Sequence, residues 1–315
     1  MIIMMRNDDM SGQIPKFLQE MLLKQYGEEI TDKIIEGYSK NRKTTLRVNT
    51  IKTNINIVKN ILEENAIKYV EVLWNKDALI LENANEQDIQ NLSIYNEGKI
   101  YLQSLSSMIP PLVVNPKEKE SILDMAAAPG GKTTQMFALS NGQAMITACE
   151  KNKIRAEKLK YNLEKQGATR VTVMVQDARN LDDFFSFDKI LLDAPCSGSG
   201  TLNSNDKNLS KYFTEELINR SIKTQKDLFK KAINVTKKNG EIIYSTCSIL
   251  KEENEMALKE VLKRGNIEIV PIDKNEFGDI PLLPVDIEGT ICVCPTELYE
   301  GFFVAKLKKV YQKTI

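Results

Sequence analysis

Two cysteines stand where a sheet would deliver a reactive side chain. Asp193-Ala194-Pro195-Cys196-Ser197-Gly198-Ser199-Gly200 follows the apolar run Ile190-Leu191-Leu192, and Ser245-Thr246-Cys247-Ser248 follows Glu241-Ile242-Ile243-Tyr244. The chain has no histidine, so a general base or nucleophile has to be a carboxylate, a lysine or a thiolate. Most cysteines are small buried hydrophobes. That reading suits Cys149 well and Cys292 and Cys294 acceptably, but suits Cys196 poorly, set between a proline and a glycine-serine loop. Five cysteines, an odd number without a C-x-x-C, predict neither a disulfide framework nor a zinc site, so no metal is expected.

A second constellation lies upstream, in the run from Ser121 through Asp124-Met125-Ala126-Ala127-Ala128-Pro129-Gly130-Gly131-Lys132-Thr133-Thr134. Ser121 to Met125 reads as a buried strand and Thr133 to Leu139 as the start of a helix, which puts the glycines in a strand-to-helix turn. Glycine lets backbone approach a ligand, and the first N–H groups of a helix lack intrahelical partners. Two ligands compete for such a turn: a nucleoside cofactor such as S-adenosylmethionine, or a nucleotide phosphate in a P-loop. Gly131-Lys132-Thr133 fits the end of the P-loop pattern, but Ala126 occupies the position of its first glycine. The Walker-B-like Ile190-Leu191-Leu192-Asp193 also runs on into Ala194-Pro195-Cys196, which phosphate chemistry does not need. The nucleoside cofactor is the preferred reading and a P-loop-like NTP-binding enzyme the alternative.

Acids close three strand-like runs: Glu150 after Ala144 to Cys149, Asp177 after Val171 to Gln176, and Asp193 after Phe187 to Leu192. Ligands of open parallel sheets bind outside the carboxyl ends of the strands. Glu150 is therefore expected to accept from ribose hydroxyls and Asp177 from an adenine amino group. A single acid of this kind is usually a helix cap. Three beside a glycine turn point to a ligand.

The elements that hold these residues follow from periodicity. From Ser121 onward strands and helices alternate, which predicts an α/β, Rossmann-like, mostly parallel, doubly wound sheet in which the Asp193 and Thr246 strands are neighbours and both thiols open on one cleft. Ile14 to Tyr38 predicts two helices divided near Gly27, read as a small helical subdomain. Asn41 to Thr50 runs from a basic link into a strand, and with a helix over Ile55 to Glu64 and strands near Tyr69 to Leu73, Ala78 to Glu82 and Lys99 to Leu102 it gives a βαββ-type, RRM-like unit of the kind that presents a sheet face to RNA. Without an aromatic ladder on it, Arg42, Lys43, Arg47 and Lys52 are the expected phosphate contacts. Gln103 to Pro111 predicts a short helix ending at its prolines and packed on the second domain. The boundary falls near residue 115, giving residues 1–115 as an RNA-docking region and 116–315 as the catalytic domain.

Lys+Arg and Asp+Glu balance at 43 each, so a nucleic acid partner has to be held by a local basic surface. The N-terminal Met1-Ile2-Ile3-Met4-Met5 is too short for a signal segment and no apolar run reaches the length of a membrane span. A cytoplasmic monomer without membrane association is expected.

The run Asp124 to Thr134, Asp193-Ala194-Pro195-Cys196-Ser197-Gly198, Thr246-Cys247-Ser248, Gln103 to Pro110 and Gly301-Phe302-Phe303-Val304-Ala305-Lys306-Leu307 together resemble the NOL1/NOP2/Sun family of RNA cytosine-5 methyltransferases, over about residues 40 to 310. The resemblance implies that Ala126, Ala127, Ala128, Pro129, Gly130, Gly131 and Lys132 hold the amino-acid part of S-adenosylmethionine, with Glu150 on its ribose, Asp177 at its adenine end and Asp193 beside it. It implies Cys247 as the nucleophile that adds to carbon 6 of cytosine and activates carbon 5. Cys196 matches the cysteine that assists release, Asp193 the residue on the N3 and amino edge, and Lys132 a residue near cofactor and base. Cys196 is the runner-up nucleophile, because DNA cytosine-5 methyltransferases use a Pro-Cys segment.

The implied partner is RNA, ribosomal ahead of transfer RNA, with its target cytosine single-stranded or flipped out. Arg42, Lys43 and Arg47 with Lys207, Lys211, Arg220 and Lys223 form the expected basic surface, weakened by Asp206, Glu215 and Glu216. A non-catalytic RNA-binding assembly factor on the same fold is the second alternative, opposed by the presence of both cysteines and all three acids. One departure stands near the C-terminus, where many family members carry an arginine and a bulky residue before proline and this chain has Cys292-Val293-Cys294-Pro295-Thr296. The sequence ends soon after Lys309, which sets the expectation that the extra C-terminal RNA-binding domain of some members is lacking.

Overall fold

The computed structural model describes residues 14–310, and the Met1 to Met5 run discussed above lies outside them. Gly27, at φ +77°, separates helices α1 (Lys16–Tyr26) and α2 (Glu28–Ser39). Leu18, Leu22 and Tyr26 on α1 and Ile34 and Tyr38 on α2 recur at helical spacing and are buried. The two helices are not a separate subdomain. They share one core with Leu192, Tyr244 and Phe303, and the Tyr26 hydroxyl donates to the Ile249 carbonyl at 2.7 Å while that of Tyr38 donates to Ser199.

A four-stranded antiparallel sheet follows, built from β1 (Thr45–Val48), β2 (Tyr69–Glu71), β3 (Ala78–Leu81) and β4 (Ile100–Leu102) in the order β2-β3-β1-β4. Helix α3 (Ile55–Glu64), capped by Asn54 accepting from the Ile57 N–H, packs Val58 and Leu62 against Leu46, Leu79 and Leu81. The short helices α4 (Glu86–Gln90) and α5 (Ser93–Asn96) lead into β4. The opposite face is not open to a nucleic acid at its centre, because Thr45 and Arg47, the β1 residues that alternate with Leu46 and Val48, are buried there.

Helix α6 (Leu105–Val114) runs through Pro110 and Pro111 instead of ending at them. Pro111 has no N–H for the Ser107 carbonyl, and the Gln103 amide takes that carbonyl at 3.2 Å. This helix lies on the second sheet, where Met108 and Ile109 join a core with Ile122, Met136 and Val304.

That sheet alternates strands and helices as β5 (Ser121–Asp124), α7 (Gly131–Leu139), β6 (Met145–Cys149), α8 (Lys153–Lys165), β7 (Thr172–Met174), β8 (Phe187–Asp193), α9 (Leu209–Tyr212), α10 (Glu215–Val235), β9 (Thr236–Thr246) and α11 (Glu255–Leu262). The short strands β10 (Ile267–Val270), β11 (Leu282–Leu283) and β12 (Ile291–Val293) precede β13 (Phe302–Lys309). The order is β11-β12-β13-β9-β8-β5-β6-β7, with β10 also on β13. Strands β7-β6-β5-β8-β9 are parallel, whereas β13 and its neighbours pair antiparallel, so the expected mostly parallel sheet is parallel over one half only. Parallel pairing needs a crossover element, and among the described residues none of that length follows α11. The strand order reverses between β5 and β8, which opens a crevice at their carboxyl ends.

Candidate active site

Strands β8 and β9 pair with Asp193 opposite Ser245, which carries the segments after both strands to the same rim. The Cys196 and Cys247 sulfurs stand 3.1 Å apart. Backbone contact locks the two segments: the Gly200 N–H donates to the Cys247 carbonyl at 2.9 Å and the Gly301 N–H to the Gly200 carbonyl at 2.7 Å. Only glycine permits this approach, since a Cβ at Gly200 would lie 1.9 Å from the Gly301 oxygen.

From the first turn of α7, the Lys132 ammonium reaches the Asp193 carboxylate at 2.8 Å, and the other Asp193 oxygen accepts from the Ser245 hydroxyl at 2.7 Å. Burial works against the Lys132 charge, but the charge and hydrogen bond of Asp193, with Cys247 and Asp124 beyond it, hold its pKa above the ordinary lysine value. Lys132 is thus a fixed cation, 5.4 Å from the centre of the Phe302 ring and facing Cys247. The hydrogen bond to Cys247, burial and the Glu253 charge push the Cys196 thiol well above the usual range.

A cavity of about 340 Å³ opens between these groups and the glycine turn, lined by Ala126 to Pro129, Gly131, Lys132, Asp193, Cys247 and Phe302. Gly130 caps α7 at φ +110°, and Tyr101 of β4 covers Gly131, where a Cβ would meet its ring at 3.1 Å. A smaller hollow shares Ala126 and is lined by Glu150, Asp177 and Arg179. Glu150 is 3% exposed, accepts from the Asn152 N–H at 2.8 Å and lies 3.6 Å from the Arg155 guanidinium. Asp177 accepts from the Arg179 N–H at 3.0 Å and from its guanidinium at 2.6 Å, which holds its pKa below the usual carboxylate range. Both acids therefore serve as local caps and also face the hollow. Asp193 caps nothing.

Asp124, at the end of β5, lines the main cavity and was not among the three acids singled out from the sequence. The strand-end rule that marks Glu150 and Asp193 applies to it equally. Its carboxylate accepts from the Thr133 hydroxyl at 2.7 Å and the Ala126 N–H at 3.4 Å. Glu253 and Asn254 carry no sequence signal of this kind. Glu253 accepts from the Ser197 N–H and hydroxyl, and Asn254 brackets the Cys247 segment by accepting from the Thr246 hydroxyl at 2.6 Å and donating to the Ser248 carbonyl at 2.9 Å.

Two of the expected phosphate contacts are something else. Arg47 is 2% exposed and donates to Gln103 and to the Thr134 hydroxyl, each at 3.1 Å, tying β1 to the glycine-turn helix. The Lys52 ammonium donates to the carbonyls of Glu97 and Lys165 at 2.9 and 2.7 Å, the last turn of α8. Arg42, half-buried, and Lys43 line an open groove of about 600 Å³ that shares Leu102, Gln103, Ser104 and Glu300 with the main cavity. Lys207, Lys211, Arg220 and Lys223 are exposed. Cys149 and Cys292 are buried and Cys294 half-buried. Among the described residues no cluster of three or more metal-ligating side chains occurs, and no helix is long and apolar enough to cross a membrane.

The family model described as 16S rRNA methyltransferase RsmB/F matches residues 111–308, and an RsmF/B-like ferredoxin-like domain model matches residues 14–88. The chain belongs to the RsmB/F methyltransferase family. Among its RsmB/F relatives, the ribosomal RNA small subunit methyltransferase F of Shewanella sp. (strain ANA-3) is 33% identical over 285 residues, 88% of this chain and 58% of the relative. That of Vibrio vulnificus (strain YJ016) is 32% identical over 273 residues, covering 84% and 57%. The chain thus spans somewhat more than half the length of these curated relatives. A methyltransferase homologue from Pyrococcus horikoshii superposes with a TM-score of 0.79 at 29% identity, covering 94% of this chain and all of that one. The fold of NSun6 from Pyrococcus horikoshii, solved with SFG, is similar with a TM-score of 0.85 at 24% identity, covering 95% and 99%. A Rossmann-like methyltransferase domain preceded by an α+β region is therefore the fold of this chain, and the RRM-like reading of the N-terminal sheet corresponds to the ferredoxin-like domain of the RsmB/F family.

Proposed function

We propose that this protein is an S-adenosylmethionine-dependent methyltransferase that modifies carbon 5 of a cytosine in ribosomal RNA, with Cys247 as the nucleophile and Cys196 assisting release. The observation that carries the reading is the pair of sulfurs 3.1 Å apart beside the glycine-turn cavity, with the Lys132–Asp193 ion pair on its wall. The names of the relatives favour ribosomal over transfer RNA.

The residues around the two cavities fit the cofactor. Five carboxylates border them, Asp124, Asp193 and Glu300 in one and Glu150 and Asp177 in the other, and the charges of Lys132, Arg155 and Arg179 are already engaged by Asp193, Glu150 and Asp177. Such a set suits a sulfonium cation and repels a triphosphate, which disfavours the NTP-binding alternative. When bound, S-adenosylmethionine supplies an electrophilic methyl group. Ala126 to Gly131 would hold its amino-acid part, and Glu150 and Asp177 its ribose and adenine.

The chemistry required of the chain is addition and then release. Carbon 5 of cytosine is a weak nucleophile, and a thiolate bonded to carbon 6 moves electron density onto it. Lys132 faces Cys247 and sets a fixed positive charge on that side of the sulfur pair. Asp193, held from both sides by Lys132 and Ser245, presents a carboxylate to the N3 and amino edge of the base. After methylation the carbon 5 proton and the Cys247–carbon 6 bond must both leave, and Cys196 stands at the sulfur being expelled. A base inside this hollow has to be unpaired or swung out of its stack.

The test is methyl transfer from tritiated S-adenosylmethionine to small-subunit ribosomal RNA, with bisulfite sequencing to locate the label. Wild-type protein should label a cytosine, and Cys247→Ala should lower turnover at least ~10³-fold while S-adenosylhomocysteine still binds in calorimetry. Normal turnover by Cys247→Ala overturns the nucleophile assignment, and binding of ATP in place of S-adenosylhomocysteine overturns the cofactor.

A further inference from the structure

Two thiols in van der Waals contact have the same intrinsic chemistry, so their surroundings decide which one ionises. Those surroundings are lopsided. Lys132 stands on the Cys247 side, fixed by Asp193 at 2.8 Å. On the Cys196 side stands Glu253, fully buried. Its two oxygens accept from the backbone N–H and the hydroxyl of Ser197, the residue after Cys196, at 2.7 and 2.6 Å. Gln225 of α10 closes the clamp from behind by donating to the Pro195 carbonyl at 3.0 Å and to Glu253 at 3.5 Å. The Pro195-Cys196-Ser197 segment is thus gripped on both flanks by one buried carboxylate and its amide helper, and that carboxylate is met by N–H and O–H donors rather than by a cation.

We propose that Glu253 is a positioning residue whose negative charge keeps Cys196 a neutral thiol and so directs the thiolate to Cys247. The proposal rests on the methyltransferase reading for its purpose, but its physical content does not need RNA or cofactor. Burial raises the Glu253 pKa, the donors of Ser197, Ser248 and Gln225 pull it back toward the carboxylate, and a carboxylate so held in a low-dielectric setting opposes a second negative charge beside it. The other groups that act on Cys196 are the Cys247 sulfur at the end of β9, the buried Tyr244 phenol on β9, and the Gly198 N–H, which alone pulls toward the thiolate. Lys132 of α7 and Asp193 of β8 form their own pair on the Cys247 side. The fixed carboxylate nearest to the Cys196 segment is therefore Glu253. In release a neutral Cys196 can pass its proton to the departing Cys247 sulfur and, as the thiolate so formed, take up the carbon 5 proton, so that both thiols end protonated and no proton is left over.

The test reads each thiol separately in the full-length protein, by iodoacetamide alkylation over a pH series with peptide mass spectrometry. In wild-type protein Cys247 should alkylate at least tenfold faster than Cys196 near pH 8, with the Cys196 profile rising only at higher pH. Glu253→Gln keeps an acceptor for Ser197 and removes the charge, and should raise Cys196 alkylation about tenfold and move its profile to lower pH. Glu253→Asp keeps the charge and should restore slow alkylation, an order that a purely steric clamp would reverse. Should Glu253→Gln fail to fold, Glu253→Asp decides: it keeps the charge and shortens the clamp, so slow Cys196 alkylation there supports the charge and fast alkylation overturns it. Cys196 reacting as fast as Cys247, or an unmoved Cys196 profile in Glu253→Gln, overturns the proposal while methyl transfer is judged by its own assay.

Discussion

Asp124 is 1% exposed at the carboxyl end of β5, and burial, only partly offset by the Thr133 hydroxyl, pushes its pKa up to about 6. Between the unfolded carboxylate value near 4 and this folded value, the native state holds a proton that the unfolded chain has lost, so stability falls as pH rises through that window. Two units correspond to about 3 kcal/mol. Asp124→Asn cannot titrate, so the stability of wild type minus that of the variant should drop by about this amount between pH 4 and pH 7 in urea denaturation. A flat difference would mean that Asp124 is ionised at no cost. At the neighbouring thiols, removing Cys196 leaves the adduct without its release partner. Cys196→Ala should accumulate a covalent protein–RNA species that migrates slowly on a denaturing gel, and its accumulation in Cys247→Ala instead would exchange the two roles. Cys196, Cys247, Asp193 and Glu150 were legible because strand-end position is a local property of sequence. Glu253 was not, since its contact with Ser197 spans 56 residues and no periodicity marks it.

At the scale of elements, Arg47 shows why a strand pattern alone misleads. Leu46 and Val48 face the α3 side and Arg47 the other, which reads as a solvated cation unless a second layer covers that face. The covering layer is α7 and its glycine turn. Burial lowers the Arg47 pKa to about 10, yet its contacts with Gln103 and Thr134 continue through Gln103 to Gln135 at 3.0 Å and from Gln135 to the Met108 carbonyl at 2.9 Å. One network thus ties β1, α6 and α7 together. Arg47→Ala leaves the Gln103 oxygen without this donor and should cost about 2–4 kcal/mol of stability. Because the network buttresses Gly131, S-adenosylhomocysteine affinity should fall with it while Cys247 alkylation is retained. Unchanged stability and affinity in denaturation and calorimetry would separate Arg47 from the cofactor turn. The prolines of α6 teach the same lesson in reverse, since a helix stop written in sequence was overridden by a glutamine placed to satisfy the carbonyl that Pro111 leaves free.

At the scale of the molecule, the question is whether the N-terminal helices belong to the catalytic unit. Periodicity alone fixed which faces of α1 and α2 are apolar, and it could not say what those faces meet. They meet the far side of the sheet that carries the thiols: Leu18, Leu22, Tyr26, Ile34 and Tyr38 lie in one core with Leu192, Tyr244 and Phe303. The Tyr38 and Tyr26 hydroxyls also hold the backbone at Ser199 and Ile249, each close in sequence to one of the thiols. Exposing five such side chains costs about 1.5–3 kcal/mol each, roughly 8–15 in all. A whole domain has only about 5–15 kcal/mol to lose. A chain lacking residues 1–40 should therefore show no cooperative thermal transition and should aggregate, whereas the full chain unfolds with its N-terminal helices and catalytic sheet in one transition. A truncated protein that melts cooperatively within a few degrees of the full chain would make α1 and α2 a separable cover, and would leave the geometry of the two thiols to the sheet and its loops alone.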